Sequence, residues 1–267
     1  MNRQSSLGEE AGSSMQASER RELHALWLGT RPYAEVYDLQ VELMEYVKTA
    51  DHDVVLLLEH EPCITLGRGA HAENLLAPVD FLAARGISVV NTNRGGDVTL
   101  HAPGQLVAYP IVNLNHGHKD VRRYVKALTA AMGDILEPFG LVSGELPGKV
   151  GLWVDTANLG QWTGTESTGF PAKIAAIGVR ISRWITMHGF ALNLVNDLGL
   201  FQWIVPCGIR ELPVTSLGSL IDGAPNPRAV APAAQLALAQ RLNLTVGRFA
   251  EISDKPVSLA AITALFG

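Results

Sequence analysis

Apolar positions recur along this chain at two periods. Over 35–46, Val36, Leu39, Leu43 and Tyr46 fall three or four residues apart, which predicts an amphipathic helix. Residues 54–58 are five apolar residues in a row, the pattern of a strand buried on both faces. The segment 63–67 is expected to pair with it. A short helix over 81–85 is closed by Gly86, and a strand follows over 87–90. A further apolar strand is read over 106–114. Asp120 is placed to N-cap a long helix whose Val125, Leu128, Met132, Ile135, Leu136 and Phe139 share one face, and Gly140 is placed to end it. Strands are predicted at 150–154, 173–180 and 184–194. A linker opens at Ala224-Pro225-Asn226-Pro227, and helices are predicted at 230–242 and 257–265.

These elements describe an α+β fold. Several consecutive strands lack intervening helices, so a regular alternation of strand and helix is not expected. Three regions follow from the pattern: a disordered tail over 1–21, a folded domain over 22–222, and a C-terminal helical extension over 223–267. Residues 155–171 are rich in Gly, Thr and Ser and read as a surface loop or insertion.

Composition narrows the function. The chain has 267 residues and is 47% hydrophobic, enough for one sizeable core. A net charge of -5 argues against a general nucleic-acid binder. No apolar run approaches the ~18 residues of a membrane span. The first 21 residues carry no apolar stretch, so neither a secretory signal nor a transit peptide is expected. Two cysteines do not make a disulfide framework, and a cytoplasmic protein with free thiols is the expectation.

One of those cysteines, Cys207, follows an apolar run, directly after Pro206 and before Gly208. A thiol held at the end of an element, between a rigid and a permissive residue, is a candidate nucleophile. It is also a place for a small buried residue. Nucleophilic chemistry needs the thiolate, which a nearby cation favours. Lys173 leads the otherwise apolar run Ile174-Ala175-Ala176-Ile177-Gly178-Val179 and is the best-placed cation; alternatively it begins the strand and points to water. Asp97, Thr99 and His101 fall on one face of a strand behind Arg94-Gly95-Gly96, the floor of a site or an edge facing solvent. His188 reads as a core histidine or a second activator. His60, Glu61 and Cys63 suggest zinc only weakly, because no second Cys/His pair stands at ligand spacing, so no metal is expected. Gly67-Arg68-Gly69 is too short for a phosphate loop, and no nucleotide motif occurs. Lys119, Arg122, Arg123 and Lys126 form a basic stripe, either a solvated face or a dock for an acidic partner.

Four segments in this order resemble the lipoyl(octanoyl) transferase family of lipoate biosynthesis. They are Arg94-Gly95-Gly96-Asp97-Val98-Thr99-Leu100-His101 with Pro103-Gly104-Gln105; Lys173-Ile174-Ala175-Ala176-Ile177-Gly178; His188-Gly189-Phe190-Ala191-Leu192-Asn193; and Pro206-Cys207-Gly208 followed by Thr215-Ser216. The resemblance covers roughly residues 24–220. The chain departs from the family pattern at Leu100, where an aromatic is common, and in the length of 155–171.

The resemblance implies a central mixed sheet flanked by helices, similar to biotin and lipoate protein ligase catalytic domains. It implies transfer of an octanoyl group from acyl carrier protein to a lysine of lipoyl domains, those of 2-oxoacid dehydrogenases and of the glycine cleavage H protein. Cys207 would carry the acyl thioester and Lys173 would hold it as thiolate. Arg94 to His101, Ala176, Ile177 and Gly178, and Gly189, Phe190 and Ala191 would bind the acyl substrate, with His188 and Asn193 in support. No cofactor is implied, since the donor brings the octanoyl group on phosphopantetheine, and a monomer is expected. Three alternatives stay open: an ATP-dependent ligase of the same fold, a non-catalytic acyl-protein binder, and a cysteine hydrolase using His101 or His188.

Overall fold

In the computed structural model, which describes residues 20–165, 169–252 and 257–266, an eight-stranded mixed sheet organises the chain. Its strands are β1 (Glu22–Arg31), β2 (Asp53–His60), β6 (Gln105–Ile111), β7 (Ser143–Leu146), β8 (Lys149–Asp155), β9 (Pro171–Ser182), β10 (Ile185–Asn193) and β11 (Thr245–Glu251). They lie side by side as β11-β1-β2-β6-β10-β9-β8-β7. The first three are mutually parallel, and every later neighbour is antiparallel. A second sheet of three strands comprises β3 (Cys63–Leu66), β4 (Ser88–Asn91) and β5 (Val98–His101).

Helices cover both faces of the large sheet, which is why the middle of β2, Val54 to Leu58, is apolar on both faces. Val54, Leu56 and Leu58 pack against α1 (Tyr33–Tyr46) and α6 (Leu259–Phe266). Val55 and Leu57 face the opposite core with α3 (Val121–Leu136) and α5 (Pro227–Leu242). The side chain of Asp120 accepts hydrogen bonds from the N–H groups of Arg122 and Arg123, so the expected cap forms. Gly140 closes the following turn at φ 77°. Two short helices, α2 (Val79–Ala83) and α4 (Leu217–Leu220), complete the set. Among the described residues no helix is long and apolar enough to cross a membrane.

Three sequence expectations are revised. The segment 63–67 does not pair with β2. Only Glu61 and Pro62 separate the two strands, and that pair supplies no residue suited to the positive φ of a tight hairpin. The chain turns away instead, and β3 pairs with β4 and β5. Trp184 does not begin a strand: with Arg183 it forms the two-residue turn between β9 and β10, at φ 65° and 50°. The region 223–267 holds the two expected helices, but β11 lies between them and extends the large sheet alongside β1. Gln235 on α5 fastens the two strands, donating to the carbonyls of Leu23, Gly247 and Arg248. Most of the expected tail, residues 1–19, lies outside the described residues, and Glu22 already belongs to β1.

Candidate active site

Cys207 sits in a tight turn, Pro206–Gly208, that follows a run of 3-10 helix. Its own backbone is left-handed (φ 55°, ψ 24°), which costs a non-glycine residue about 1–2 kcal/mol. Gly208 is left-handed too, at φ 71°, and a Cβ there would lie 2.9 Å from Asp97 Oδ2. The turn is held by its surroundings: Val205 N donates to Asn74 O, and Asn74 Nδ2 donates to Asp97 Oδ2 at 2.6 Å. Asp97 Oδ1 accepts from the N–H groups of His71 and Val98.

Lys173 lies at the start of β9 and is only 4% exposed. The segment after the cysteine turn runs parallel beside it, with Lys173 N donating to Pro213 O and Thr215 N to Lys173 O, each at 2.9 Å. That pairing brings Lys173 Nζ to 2.9 Å from Cys207 Sγ. Nζ also donates to Val150 O at 2.8 Å, and the Trp153 ring centroid lies 5.6 Å away. Both cysteines are free. Cys63 is buried and its thiol is pushed up to about 12, mainly by burial, so it is no rival nucleophile.

The sulfur borders a pocket of about 520 Å³, within the range of small-molecule sites. From the expected set, Arg94, Gly95, Gly96, Asp97, Thr99, His101, Ala176, Ile177, Gly178, His188, Gly189, Phe190 and Ala191 line it. Val98 and Leu100 do not: the alternation of β5 turns them into the core of the small sheet, against Ile64 and Leu82. Close backbone approach explains the glycines. A Cβ at Gly189 would lie 2.2 Å from Ala108 O, and one at Gly178 would lie 2.9 Å from Gly95 O.

The exposed lining is mostly apolar, and the polar side chains within it are held by hydrogen bonds. Arg94 is buried and gives its N–H groups to neutral oxygens: Thr65 Oγ1 and O, Gly95 O and Asp97 O. Burial works against its charge and lowers its pKa. Thr65 in turn meets His101 Nε2 at 3.5 Å, and His101 Nδ1–H donates to Gln105 Oε1. Gln105 Nε2 donates to Asn193 Oδ1, and Asn193 Nδ2 donates to Thr215 O. One network thus ties the Arg94 loop to the segment that aligns Lys173. Of the face expected to carry Asp97, Thr99 and His101, Thr99 and His101 are buried in the wall and Asp97, just before β5, is half-buried; it is not a solvent-facing edge.

Three histidines near this wall are held neutral. Burial drops His101 well below its ordinary value, helped by His60. Burial lowers His60 to about 4; it donates Nδ1–H to Arg31 O and accepts from the Tyr109 hydroxyl at Nε2. Burial, with Arg94 and Arg180 nearby, lowers His188 to about 3. His188 adopts φ 59° and meets Asn93 Oδ1 through Nε2 at 2.8 Å. Neutral imidazoles leave the pocket hospitable to an apolar tail. The side chain that hydrogen-bonds Cys207 is Lys173, not one of these rings.

Sequence reasoning missed several lining residues: Tyr33 at the start of α1, Tyr109 inside β6, Val125 on α3, and Gly148, Lys149 and Val150 at the β7–β8 turn. Tyr109 had a usable signal, as the one aromatic in the expected strand 106–114. The β7–β8 turn gave none, because it reaches the site only through pairing with β9.

Comparison with known proteins finds relatives over most of the chain. Residues 32–239 match the family described as the lipoyl protein ligase A/B catalytic domain. An octanoyltransferase of Solibacter usitatus is 48% identical over 196 residues, 72% of this chain and 81% of that protein. One from Chloroflexus aurantiacus is 43% identical over 222 residues, 82% of this chain and 92% of that protein. A bipartite lipoate protein ligase of Thermoplasma acidophilum, from a structural study that also includes its E2 lipoyl domain, has the same fold at TM-score 0.66 and 17% identity, covering 91% of each chain. A lipoate-protein ligase A crystallised with ATP gives 0.64 at 17% identity, over 90% of this chain and 93% of that one. The chain belongs to the lipoyl protein ligase A/B catalytic domain family, among its octanoyltransferases.

Proposed function

We propose that this acyltransferase moves an octanoyl group from acyl carrier protein to a lysine of a lipoyl domain, through a thioester on Cys207. The observation that carries this reading is the 2.9 Å contact between Lys173 Nζ and Cys207 Sγ at the edge of a pocket with room for a short aliphatic tail.

In the first step the Cys207 thiolate, paired with the Lys173 ammonium, attacks the carrier thioester. The new C–S bond forms, the bond to the pantetheine sulfur breaks, and the proton needed by the leaving thiol comes from Lys173. Main-chain amides near Gly178 would take the charge of the tetrahedral oxygen. In the second step the acceptor lysine amine attacks the Cys207 thioester. A C–N bond forms, the C–S bond breaks, and neutral Lys173 accepts the amine proton. The ion pair is thereby restored. Thioester to amide runs downhill, so no nucleotide or other cofactor is required. At ~0.8 kcal/mol per buried CH₂, an octanoyl chain in this pocket gains several kcal/mol.

The donor side has a fitting dock. Lys119, Arg122, Arg123 and Lys126 are all exposed, and Val125, between them on α3, borders the pocket. That placement suits an acidic carrier and favours the dock over a merely solvated face. Acceptors are proposed to be the lipoyl domains of 2-oxoacid dehydrogenases and the H protein. The cytoplasm is the proposed compartment, since both cysteines are free thiols and the mechanism needs one of them reduced.

Intact-mass measurement tests the reading. Octanoyl carrier alone should add one octanoyl group to the protein, removable by hydroxylamine, and later addition of lipoyl domain should move that mass to the domain. No adduct on the protein, with direct acylation of the domain, would remove the covalent step. Release of free octanoate in the presence of lipoyl domain would favour a hydrolase. A requirement for ATP would favour a ligase.

A further inference from the structure

A lysine ammonium on a four-carbon stem holds one position only if its surroundings exclude the others. Around Lys173 those surroundings come from β8. The pairing of β8 with β9 skips one residue: Leu152 pairs with Ala175 and Trp153 with Lys173, leaving Ile174 as the extra residue of a bulge. Just before that irregularity Gly151 takes φ +135°. A Cβ on Gly151 would lie 2.4 Å from Lys173 Cε, 3.1 Å from Lys173 Nζ and 2.7 Å from Ala175 O. The space a side chain would fill there is occupied by the end of the lysine. The carbonyl of the preceding residue, Val150, accepts from Nζ at 2.8 Å.

We propose that Gly151 and the Val150 carbonyl are positioning elements for the transfer reaction, fixing both the place of Lys173 Nζ and the direction of its free valence. This rests on the reading of Lys173 as the partner of Cys207. As an ammonium, Lys173 has three N–H groups: one goes to Val150 O, one to the thiolate, and one is left for the site. As a neutral amine it has two N–H groups and a lone pair. Once Cys207 is acylated its sulfur no longer draws an N–H, and the bond to Val150 O is what keeps Nζ from swinging away. The acceptor amine then meets a base already in place. Its proton passes to Nζ as the C–S bond breaks, and the thiolate released meets a fresh ammonium.

Substitution Gly151→Ala tests this. Displacing Nζ should move the pH midpoint of Cys207 alkylation by iodoacetamide upward, toward that of Lys173→Ala, and lower the alkylation rate at pH 7 about tenfold or more. The kcat of octanoyl transfer should fall about tenfold, with KM for the octanoyl carrier within about twofold. The double variant Gly151→Ala/Lys173→Ala should be no slower than Lys173→Ala alone, because the glycine acts through the lysine. Gly140→Ala is the control, since Gly140 is also left-handed (φ +77°) but a Cβ there meets nothing within 4 Å. It should lose melting temperature without changing the alkylation profile.

Should Gly151→Ala not fold, Lys173→Arg serves. It keeps the charge but overfills the slot above Gly151, and should behave like Lys173→Ala. A parental alkylation profile and kcat in Gly151→Ala, additive losses in the double variant, or full thiol reactivity in Lys173→Arg would each overturn the inference. A Lys173→Ala protein with an unshifted profile would instead overturn the dyad on which it rests.

Discussion

Three neutral histidines beside the pocket make the fold sensitive to mild acid. His60, His101 and His188 are 0%, 5% and 1% exposed, and burial lowers all three below the ordinary value of 6.5. In the unfolded chain each binds a proton as the pH falls through about 6.5, while the native form of each stays neutral until near 4 for His60 and 3 for His188. Between those limits the unfolded state binds more protons, so stability is present above pH 6.5 and is lost as the pH falls. The loss is about 1.4 kcal/mol per pH unit per histidine. From pH 7 to pH 5 His60 and His188 each contribute about 2 kcal/mol, and His101 and His24, both lowered mainly by burial, act in the same direction, a loss that is a sizeable share of a domain's stability. Asp53 works the other way: burial raises its pKa, so in the native state it takes up a proton earlier than in the unfolded chain. The carboxylates of Asp120 and Asp155 are lowered by hydrogen bonds and lose their contribution only below the window of interest.

Urea titrations followed by tryptophan fluorescence at pH 7.5, 6.5, 5.5 and 5.0 measure the slope directly. Native protein should lose several kcal/mol across this range, with about two or more protons taken up on unfolding near pH 5.5. In His60→Gln the slope should fall by about one proton, or 1.4 kcal/mol per pH unit, whatever the variant's stability at pH 7.5. A change below about 1 kcal/mol between pH 6.5 and 5.0, or a full slope in His60→Gln, would refute the reasoning, because it would mean that these imidazoles are not neutral in the fold.

Further outcomes follow from the site. Cys207→Ser should abolish the hydroxylamine-sensitive octanoyl adduct in intact-mass spectra and lower transfer by at least about a hundredfold, given the weaker nucleophile and lost thioester. Lys173→Ala should shift the midpoint of Cys207 alkylation to higher pH by about one unit or more, measured with iodoacetamide. Reversal of the exposed pair, Arg122→Glu/Arg123→Glu, should weaken carrier binding most at low salt, measured by titration calorimetry at two ionic strengths, and leave melting temperature nearly unchanged. Gly189→Ala should destabilise by several kcal/mol in chemical denaturation, because its Cβ would lie 2.2 Å from the backbone oxygen of Ala108 in the neighbouring strand.

What the sequence carried was local, and what it withheld was long-range. The apolar run Val54 to Leu58 of β2 and the 3.6-residue stripe of α3 state their own burial: the run and Leu128, Met132, Ile135 and Leu136 are covered, while Val125 is half-buried where it borders the pocket. The N-terminal strand β1 has no alternation to read, because both of its faces are buried, and its partner β11 is a partly exposed edge broken by Gly247. A Cβ at Gly247 would lie 2.2 Å from His24 Nδ1, so this glycine is required by close approach to β1. The two strands are more than two hundred residues apart, and no local pattern announces their pairing. The site divides in the same way. Thr99 and His101 were legible from period-2 alternation, which equally excludes Val98 and Leu100 from the pocket. The 2.9 Å contact between Lys173 and Cys207 was not. It depends on residues 213–215 lying parallel to the start of β9 and on a bulge that aims one side chain over a glycine. Each is a property of backbone pairing, so four motifs in order could point to the dyad while the geometry that lets it work had to be found in the fold.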